Sequence, residues 1–305
     1  MNALALKGPY RAAARLHRRA LWALPVLAAV SLAVVIGLRV WAAPGSDAAP
    51  YSGYGFLRIS MEYAGRGLLF LPALVGAFVA GPLIAREWES GTWRLALTQS
   101  TGPKAWLGAK VLLAAATAGL GSAALIGIYR IGWTRVADTH RLTWADPGAY
   151  EASGPVLVGY CLLAVALGAL VGQLVRRTLA AMAVTGLLTG AVMLALGSLR
   201  WSVLPVKTTT MPLSGNLAQQ APVSAFITDT GLITGSGERL PEYACWERTR
   251  SLRDCPADMN ITAWYTEFHP ASHYWPTQLI ETSIALALAA LALYAAFRLV
   301  RTDRA

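Results

Sequence analysis

The chain alternates between long, continuously apolar runs and shorter polar stretches. Each run holds roughly the 20 apolar residues that a helix needs to cross the hydrocarbon core of a bilayer. The runs do not alternate strictly between apolar and polar positions, which argues against the strands of a membrane barrel. The pattern predicts an all-α polytopic membrane protein with six transmembrane helices, near residues 21–42, 67–85, 108–129, 155–175, 178–198 and 278–297.

These runs organise residues 1–305 as a single transmembrane domain. Residues 1–20 form a basic segment before the first helix, and residues 21–198 contain helices one to five. The long segment 199–277 mixes Gly, Pro, Thr and aromatic residues, which predicts a small external subdomain between helices five and six. Helix six occupies residues 278–297 and is followed by a short tail, residues 298–305. Residues 43–66 and 130–154 are interpreted as shorter external loops.

The first run has a second interpretation, because five basic residues precede it and small residues follow it, as in a secretory signal. However, the run exceeds the roughly 7 to 15 residues of a signal core. It also carries Trp22 and Trp41 near its ends, where aromatic residues anchor spanning helices at the interface. We therefore interpret the run as an uncleaved helix.

Basic residues are concentrated on one predicted side of the membrane. The two termini and the segments joining runs two to three and four to five hold fourteen of the 26 Lys and Arg residues, but three of the 16 acidic residues. The positive-inside rule then places both termini in the cytoplasm of a protein of the cell membrane. The net charge of +10 is explained by this topology and by attraction to anionic lipid, so no nucleic-acid partner is expected.

The most informative polar segment joins runs two and three, residues 81–110, with the sequence GPLIAREWESGTWRLALTQSTGPKAWLGAK. Glu87 and Glu89 come first, and Gly91 and Thr92 then break the chain. A short stretch from Trp93 to Thr98 follows, whose apolar side chains are suited to lie along the membrane interface. Such a stretch between two spans is placed to contact a second protein.

This segment resembles the loop after the second span in permeases of the ABC type-2 exporter family. That family has an E-x-E-x-G-T pattern, a short coupling helix, a Pro-containing turn and a glycine next to a lysine before the third span. Ala109 separates the last two residues here, which departs from the family pattern. Residues 2–19 also resemble the family's amphipathic connecting helix, and residues 268–281 resemble the start of the last span in actinobacterial members. The matching loop residues are Glu87, Glu89, Gly91, Thr92, Pro103, Gly108 and Lys110.

The resemblance implies a subunit that is not an enzyme and forms the pathway of an ATP-driven exporter, together with a second copy or a related permease. A separate ABC ATPase would hold the ATP and Mg, and no cofactor is expected in this chain. The sequence contains no G-x-x-x-x-G-K-[ST] phosphate loop, which agrees with that division. The residues implied to couple to the ATPase are Glu87, Glu89, Gly91, Thr92, Trp93, Leu95 and Leu97.

Two other function classes remain as alternatives, an ATPase-independent secondary carrier and a polytopic membrane enzyme. Carriers place ionisable residues in mid-membrane, whereas Glu62 and Glu281 fall near predicted span ends. There they could pair with Arg66 or Arg130, or meet a cationic substrate. The enzyme class is disfavoured because no H-E-x-x-H motif occurs.

We predict no metal site in the chain. His269 and His273 are four residues apart, but Pro270 between them disfavours the helix that would place both on one face. An ordinary surface of the external segment is the preferred interpretation of the two histidines.

Cysteines and glycines make two packing predictions. Cys245 and Cys255 both lie in the external segment, where a disulfide persists, so we predict a bridge, with two independent thiols as the alternative. Gly168 with Gly172 has the small-x-x-x-small spacing that lets two membrane helices approach closely. The pair Gly186–Gly190 has the same spacing.

Overall fold

The computed structural model describes residues 18–42, 52–93, 102–137, 142–213, 221–222, 224–251 and 254–302. Contacts divide the described chain into two compact units. The first is helical and the second contains a β-sheet. Most of the predicted N-terminal segment 1–20 lies outside the described residues, as do the predicted coupling residues Leu95 and Leu97.

The helical unit contains five long helices, the helical segments of the second predicted span and one short helix. The sixth predicted span is the C-terminal helix α10, Tyr274–Thr302. The other helices are α1 Arg18–Trp41, α2 Gly53–Leu69, α3 Leu71–Leu74, a π-helix Val75–Ala80, α4 Gly81–Ser90, α5 Pro103–Val136, α6 Ala149–Ser153, α7 Val156–Val175 and α8 Thr178–Leu199.

Helix α7 is the centre of this unit. It is buried over most of its length, whereas the apolar faces of α5, α8 and α10 are largely exposed, as expected where lipid is the solvent. Gly168 packs directly on Ala80, and a Cβ at Gly172 would lie 3.0 Å from Cβ of Ile84. The predicted close approach at these two glycines is confirmed. Gly186 likewise packs on Ala77, but Gly190 faces open space.

The second helix begins earlier than predicted. Residues 43–66 were expected to be an external loop, but α2 is helical from Gly53. The side chain of Ser52 caps the helix by accepting a hydrogen bond from the backbone nitrogen of Gly55 at 3.2 Å. Leu57, Met61 and Gly65 form a buried stripe four residues apart. Because the remaining positions are mixed, a search for continuous apolar runs overlooks this helix.

The second span is also bent. The axes of Gly53–Leu69 and Leu71–Ser90 differ by 41°. Pro72 follows the break, and the π-helix Val75–Ala80 comes directly after α3. Proline and π-helical turns are the usual causes of a kink, since both interrupt the regular ladder of helical hydrogen bonds.

Four helices of the described chain are long and apolar enough to cross a membrane, and the bent pair gives a fifth. The described apolar part of the first helix, Val26–Trp41, is shorter than that length. The structure therefore supports a polytopic membrane protein, and the count of six spans stays a prediction. The expected loop 130–154 is partly helical, since α5 continues to Val136 and α6 covers Ala149–Ser153.

The second unit comprises residues 137–145 and 201–277, and here the all-α prediction is wrong. A four-stranded antiparallel sheet has the order β1-β4-β2-β3. Thr209 of β1 pairs with Thr266 of β4, and Thr230 of β2 pairs with the same residue from the other side. Threonine favours strands because its branched side chain fits a pleated surface. The strands are β1 Lys207–Pro212, β2 Phe226–Thr234, β3 Arg239–Pro241 and β4 Ile261–His269.

One face of the sheet has its own small core. Leu232 and Trp264 are buried there together with Cys245. Cys245 and Cys255 are joined in a disulfide, with 5.0 Å between their Cα atoms. The short helix α9, Trp246–Thr249, directly follows the first of these cysteines.

Candidate functional site

The predicted break after the second span is a helix end. Helix α4 stops at Ser90, and Gly91 caps it in the left-handed conformation with φ of 71°. Glycine adopts this conformation without steric cost, which explains the residue type at the turn. The Ser90 and Thr92 hydroxyl oxygens are 2.9 Å apart across the turn.

Glu87 ties the end of α4 to the start of α5. Its carboxylate accepts a hydrogen bond from Nε1 of Trp106 at 2.9 Å and a second one from Nζ of Lys110. The Glu87 side chain is 23% exposed and that of Lys110 is 14% exposed, so the ion pair is only partly shielded from water. Two parts of the motif, 23 residues apart in sequence, therefore meet, and the inserted Ala109 does not prevent this.

Glu89 ties the same end of α4 to the start of α8. Its carboxylate accepts hydrogen bonds from the backbone nitrogen of Thr178, at 2.9 Å, and from the Thr178 hydroxyl. Thr178 is the first residue of α8, where backbone N–H groups have no partner within the helix. A carboxylate there also interacts favourably with the helix dipole.

Aromatic stacking adds another connection at this end. The rings of Trp88 and Trp93 have centroids 4.4 Å apart, and the Arg176 guanidinium lies 4.3 Å from the Trp88 centroid. Trp93 also packs against a buried cluster that includes Ile84 and Leu107. The part of the predicted coupling segment that the structure describes is therefore attached to the helical core.

We call Glu87, Glu89, Trp106, Lys110 and Thr178 the elbow cluster. It brings together α4, α5 and α8, and Gly91, Thr92 and Trp93 continue directly from it. The predicted residues Glu87 and Glu89 thus contact other helices, an arrangement that sequence reasoning did not anticipate. Chemically the cluster holds helices together and orients the segment that follows.

A second ionic cluster lies at the other end of α8. Arg200 directly follows this helix and donates to Glu281 from Nε at 2.7 Å and from Nη2 at 2.8 Å. Its Nη2 also donates to Glu151 at 2.6 Å. Arg200 is 7% exposed, Glu151 3% and Glu281 5%, so all three are buried.

Aromatic hydroxyl and backbone groups complete this second cluster. Tyr160 of α7 donates its hydroxyl hydrogen to Glu281, and the Arg200 guanidinium lies 3.8 Å from the ring centroid of Tyr150. Glu151 also accepts a hydrogen bond from the backbone nitrogen of Gly148 at 2.8 Å. We call Arg200, Glu151, Glu281 and Tyr160 the Arg200 cluster. It joins α6, α7, α8 and α10.

The predicted ion-pair partner is confirmed for one of the two acids near span ends and is wrong for the other. Glu62 pairs with Arg66 at 2.8 Å, one turn along α2, as expected. Glu281 pairs with Arg200 instead of Arg66 or Arg130, and Nε of Arg130 donates to the Ser153 carbonyl at 2.7 Å. A signal was present in the sequence, because Glu151, Arg200 and Glu281 all fall near the ends of predicted spans on the same side.

No group of three or more His, Cys, Asp or Glu side chains that could hold a metal ion occurs among the residues that the structure describes. His269 and His273 do contact each other, with their Nδ1 atoms 3.1 Å apart. The contact does not require the helix that Pro270 disfavours, because His269 ends strand β4 and His273 lies in the turn that follows.

Comparisons with known proteins add the family. Searches of curated proteins and of solved structures give no match to this chain. A family model described as ABC-2 membrane transporter related matches residues 47–200, which is half of the chain. The matched residues run from before α2 to Arg200 and contain the whole elbow cluster. The matching family consists of membrane transport components, and the chain has apolar helices as such a component requires. The chain therefore belongs to the ABC-2 membrane transporter related family, as a transporter permease.

Proposed function

We propose that the chain is the membrane-spanning subunit of an ATP-driven exporter. It forms the translocation pathway with a second copy or a related permease, in the cell membrane with both termini in the cytoplasm. A separate ABC ATPase binds at the segment after α4. The distribution of Lys and Arg supports this orientation, and the family supports the transport role.

The elbow cluster is the observation that carries the proposal. The segment proposed to meet the ATPase begins at Gly91, directly after two carboxylates that are bonded to other helices. A displacement of this segment is therefore passed to α4 directly, to α5 through Glu87 and to α8 through Glu89.

The proposed mechanism is a shared movement of these helices. When the ATPase subunits close on ATP, the segment from Trp93 to Leu97 is pushed, and α4, α5 and α8 tilt together as one body. Glu87 and Lys110 keep α4 and α5 in register because their ion pair is partly shielded from water. The kink between α2 and α3 is the point at which the second span yields.

The chemistry of hydrolysis belongs to the partner. ATP and Mg bind to the ATPase, and the side chains of this chain bind that protein and orient the helices. In the segment that contacts the ATPase, the apolar residues Leu95 and Leu97 supply affinity and the neighbouring charges supply orientation, while Trp93 attaches the segment to the helical core.

The test is co-purification of the tagged full-length chain from its native host in a gentle detergent, followed by mass spectrometry. We expect a stoichiometric ATPase with a phosphate-binding loop to accompany the wild-type chain. Leu95→Asp with Leu97→Asp should abolish its recovery, because charges replace the proposed apolar contact. These positions are preferred to Trp93, whose ring packs on the helical core.

Glu62→Gln is the matched control, since it removes an acid of the same kind from a pair that lies outside the elbow cluster. This variant should recover as much ATPase as the wild type. Recovery of the chain alone would contradict the proposal and favour an ATPase-independent carrier. Unchanged recovery with the double Asp variant would move the contact away from this segment.

A further inference from the structure

Two histidines of the second unit face each other through their ring nitrogens. Nδ1 of His269 lies 3.1 Å from Nδ1 of His273, which is hydrogen-bonding distance. His269 is the last residue of β4, and His273 ends the turn Ala271–His273 that leads into α10. The hydrogen bond between the two rings therefore connects the end of a central strand to the turn that follows it.

The surroundings of the two rings differ. His269 is 1% exposed, and the ring centroids of Trp201 and Phe226 lie 5.5 and 6.4 Å from its own. His273 is half-buried. Among the neighbouring elements, β1 contributes the charge of Lys207, which acts on His273, whereas Trp201 and Phe226 of β2 contribute aromatic rings.

We propose that this histidine pair forms a pH-sensitive contact. The contact persists while the two rings together carry no added proton or one, and it breaks when they carry two. In the neutral pair, one ring donates from Nδ1 and the other accepts. One added proton fits on Nε2 of the more exposed His273, whose Nδ1–H still donates to His269. A second added proton has to occupy Nδ1 of His269. Two N–H donors and two positive charges then face each other at 3.1 Å.

The second protonation is opposed by the site. Burial lowers the pKa of His269, and the charge of His273 lowers it further, against the opposite effect of a hydrogen bond with the Trp201 backbone. Once both rings are charged, His273 turns toward solvent because His269 is enclosed. The backbone nitrogen of His273 donates to the Pro270 carbonyl at 2.9 Å, and the His273 carbonyl accepts from the Thr277 hydroxyl. Release of the ring therefore loosens residues 270–277.

The experiment follows exchange of the imidazole C2 hydrogen, site by site, by mass spectrometry of the full-length chain in detergent between about pH 5 and 8. The wild type is compared with His273→Gln and Lys207→Gln and with the denatured chain. We expect His269 to titrate at lower pH in the folded than in the denatured chain. Its midpoint should rise in His273→Gln, because the neighbouring charge is gone.

Backbone amide exchange of residues 270–277, corrected for the intrinsic pH dependence, gives the structural readout. Exchange should increase in the wild type as His269 titrates and stay constant in His273→Gln, whose amide group donates an N–H to the unprotonated Nδ1 of His269 and accepts with its oxygen from the protonated one. Lys207 is exposed, so Lys207→Gln preserves the fold. Because the Lys207 charge acts on His273, this variant should move the His273 midpoint to higher pH, while the opening still coincides with the His269 midpoint. Equal His269 midpoints in wild type and His273→Gln, or opening in Lys207→Gln that moves with the His273 midpoint instead of the His269 midpoint, would overturn the proposal.

Discussion

The elbow cluster and the Arg200 cluster both use carboxylates to join helices that are distant in sequence, yet they differ in contact with water. In the elbow cluster, Glu87 and Lys110 are partly exposed and Glu89 lies at the surface. In the Arg200 cluster, the arginine and both carboxylates are buried. Helix α8 connects the two, since it begins at Thr178 and ends beside Arg200, roughly 33 Å away for its length.

The difference in exposure to water explains how one helical unit can have both a mobile end and a rigid end. Partly exposed ion pairs contribute less to stability than buried ones do, because water can solvate both charges when the pair separates. Separating buried charges is far more costly, because an unpaired charge is left in a medium that cannot solvate it. We infer that the elbow cluster is the moving end of α8 and that the Arg200 cluster is the fixed end.

The largest loss of stability is expected when the buried cation of the Arg200 cluster is removed. Arg200→Met leaves Glu151 and Glu281 without their partner, and we expect it to cost about 3 to 5 kcal/mol of unfolding free energy. Unfolding in mixed micelles measures this loss. Arg200→Lys keeps the charge but loses the two-pronged geometry, so it should fall between Met and wild type. A cost under about 1 kcal/mol for Arg200→Met would show that the cluster is not a fixed point.

The next largest effect is expected at Glu87. Glu87→Gln leaves Lys110 charged and half-buried without its carboxylate, and we expect a loss of about 1 to 2 kcal/mol, reduced by the remaining contact with water. The same unfolding assay measures it. The double variant Glu87→Gln with Lys110→Met removes both charges and should recover part of the loss. If the double variant is as unstable as the sum of the single variants, the two residues do not act as a pair.

A smaller effect is expected at Glu89, which is at the surface. Glu89→Ala removes the acceptor for the first backbone N–H of α8, so its unfolding midpoint should drop less than that of Glu87→Gln. Glu89→Gln retains an acceptor oxygen and should lie between Glu89→Ala and the wild type. A larger drop for Glu89→Ala than for Glu87→Gln would reverse the assigned roles within the elbow cluster.

The smallest effect is expected at Glu62, whose pair with Arg66 is an exposed contact within one helix. Glu62→Gln should cost about 0.3 to 0.5 kcal/mol at low salt, and added salt should remove the difference. This variant calibrates the others, because it removes one carboxylate without touching either cluster. A cost as large as that of Glu87→Gln would mean that the assay reports net charge instead of specific contacts.

Much of the helical unit could be predicted from the sequence, because continuous apolarity over the length of a bilayer has few explanations. The helices near residues 108–129, 155–175 and 178–198 were located in this way. Helix α2 was not, since its buried stripe of Leu57, Met61 and Gly65 is interrupted by charged residues. The sheet was also overlooked, because strand segments such as KTTTMP carry little apolar signal and pair across long distances in sequence.

The candidate site was predicted as a list of residues but not as an arrangement. A motif shows that Glu87 and Lys110 belong to one pattern, yet the contact between them depends on how α4 packs beside α5. Arg200, Glu151 and Tyr160 were not singled out, because partners that come from four different helices leave no short pattern in the sequence. Tertiary packing decided both arrangements.

The most direct measurement is hydrogen exchange of the chain bound to the proposed ATPase, with the ATPase either free of nucleotide or trapped with ATP and vanadate. We predict that exchange changes at residues 83–93 and 102–110, around the elbow cluster, and stays the same at residues 149–160 and 278–285, around the Arg200 cluster. A change confined to the Arg200 cluster, with the elbow cluster unaltered, would contradict the assignment of the moving and fixed ends.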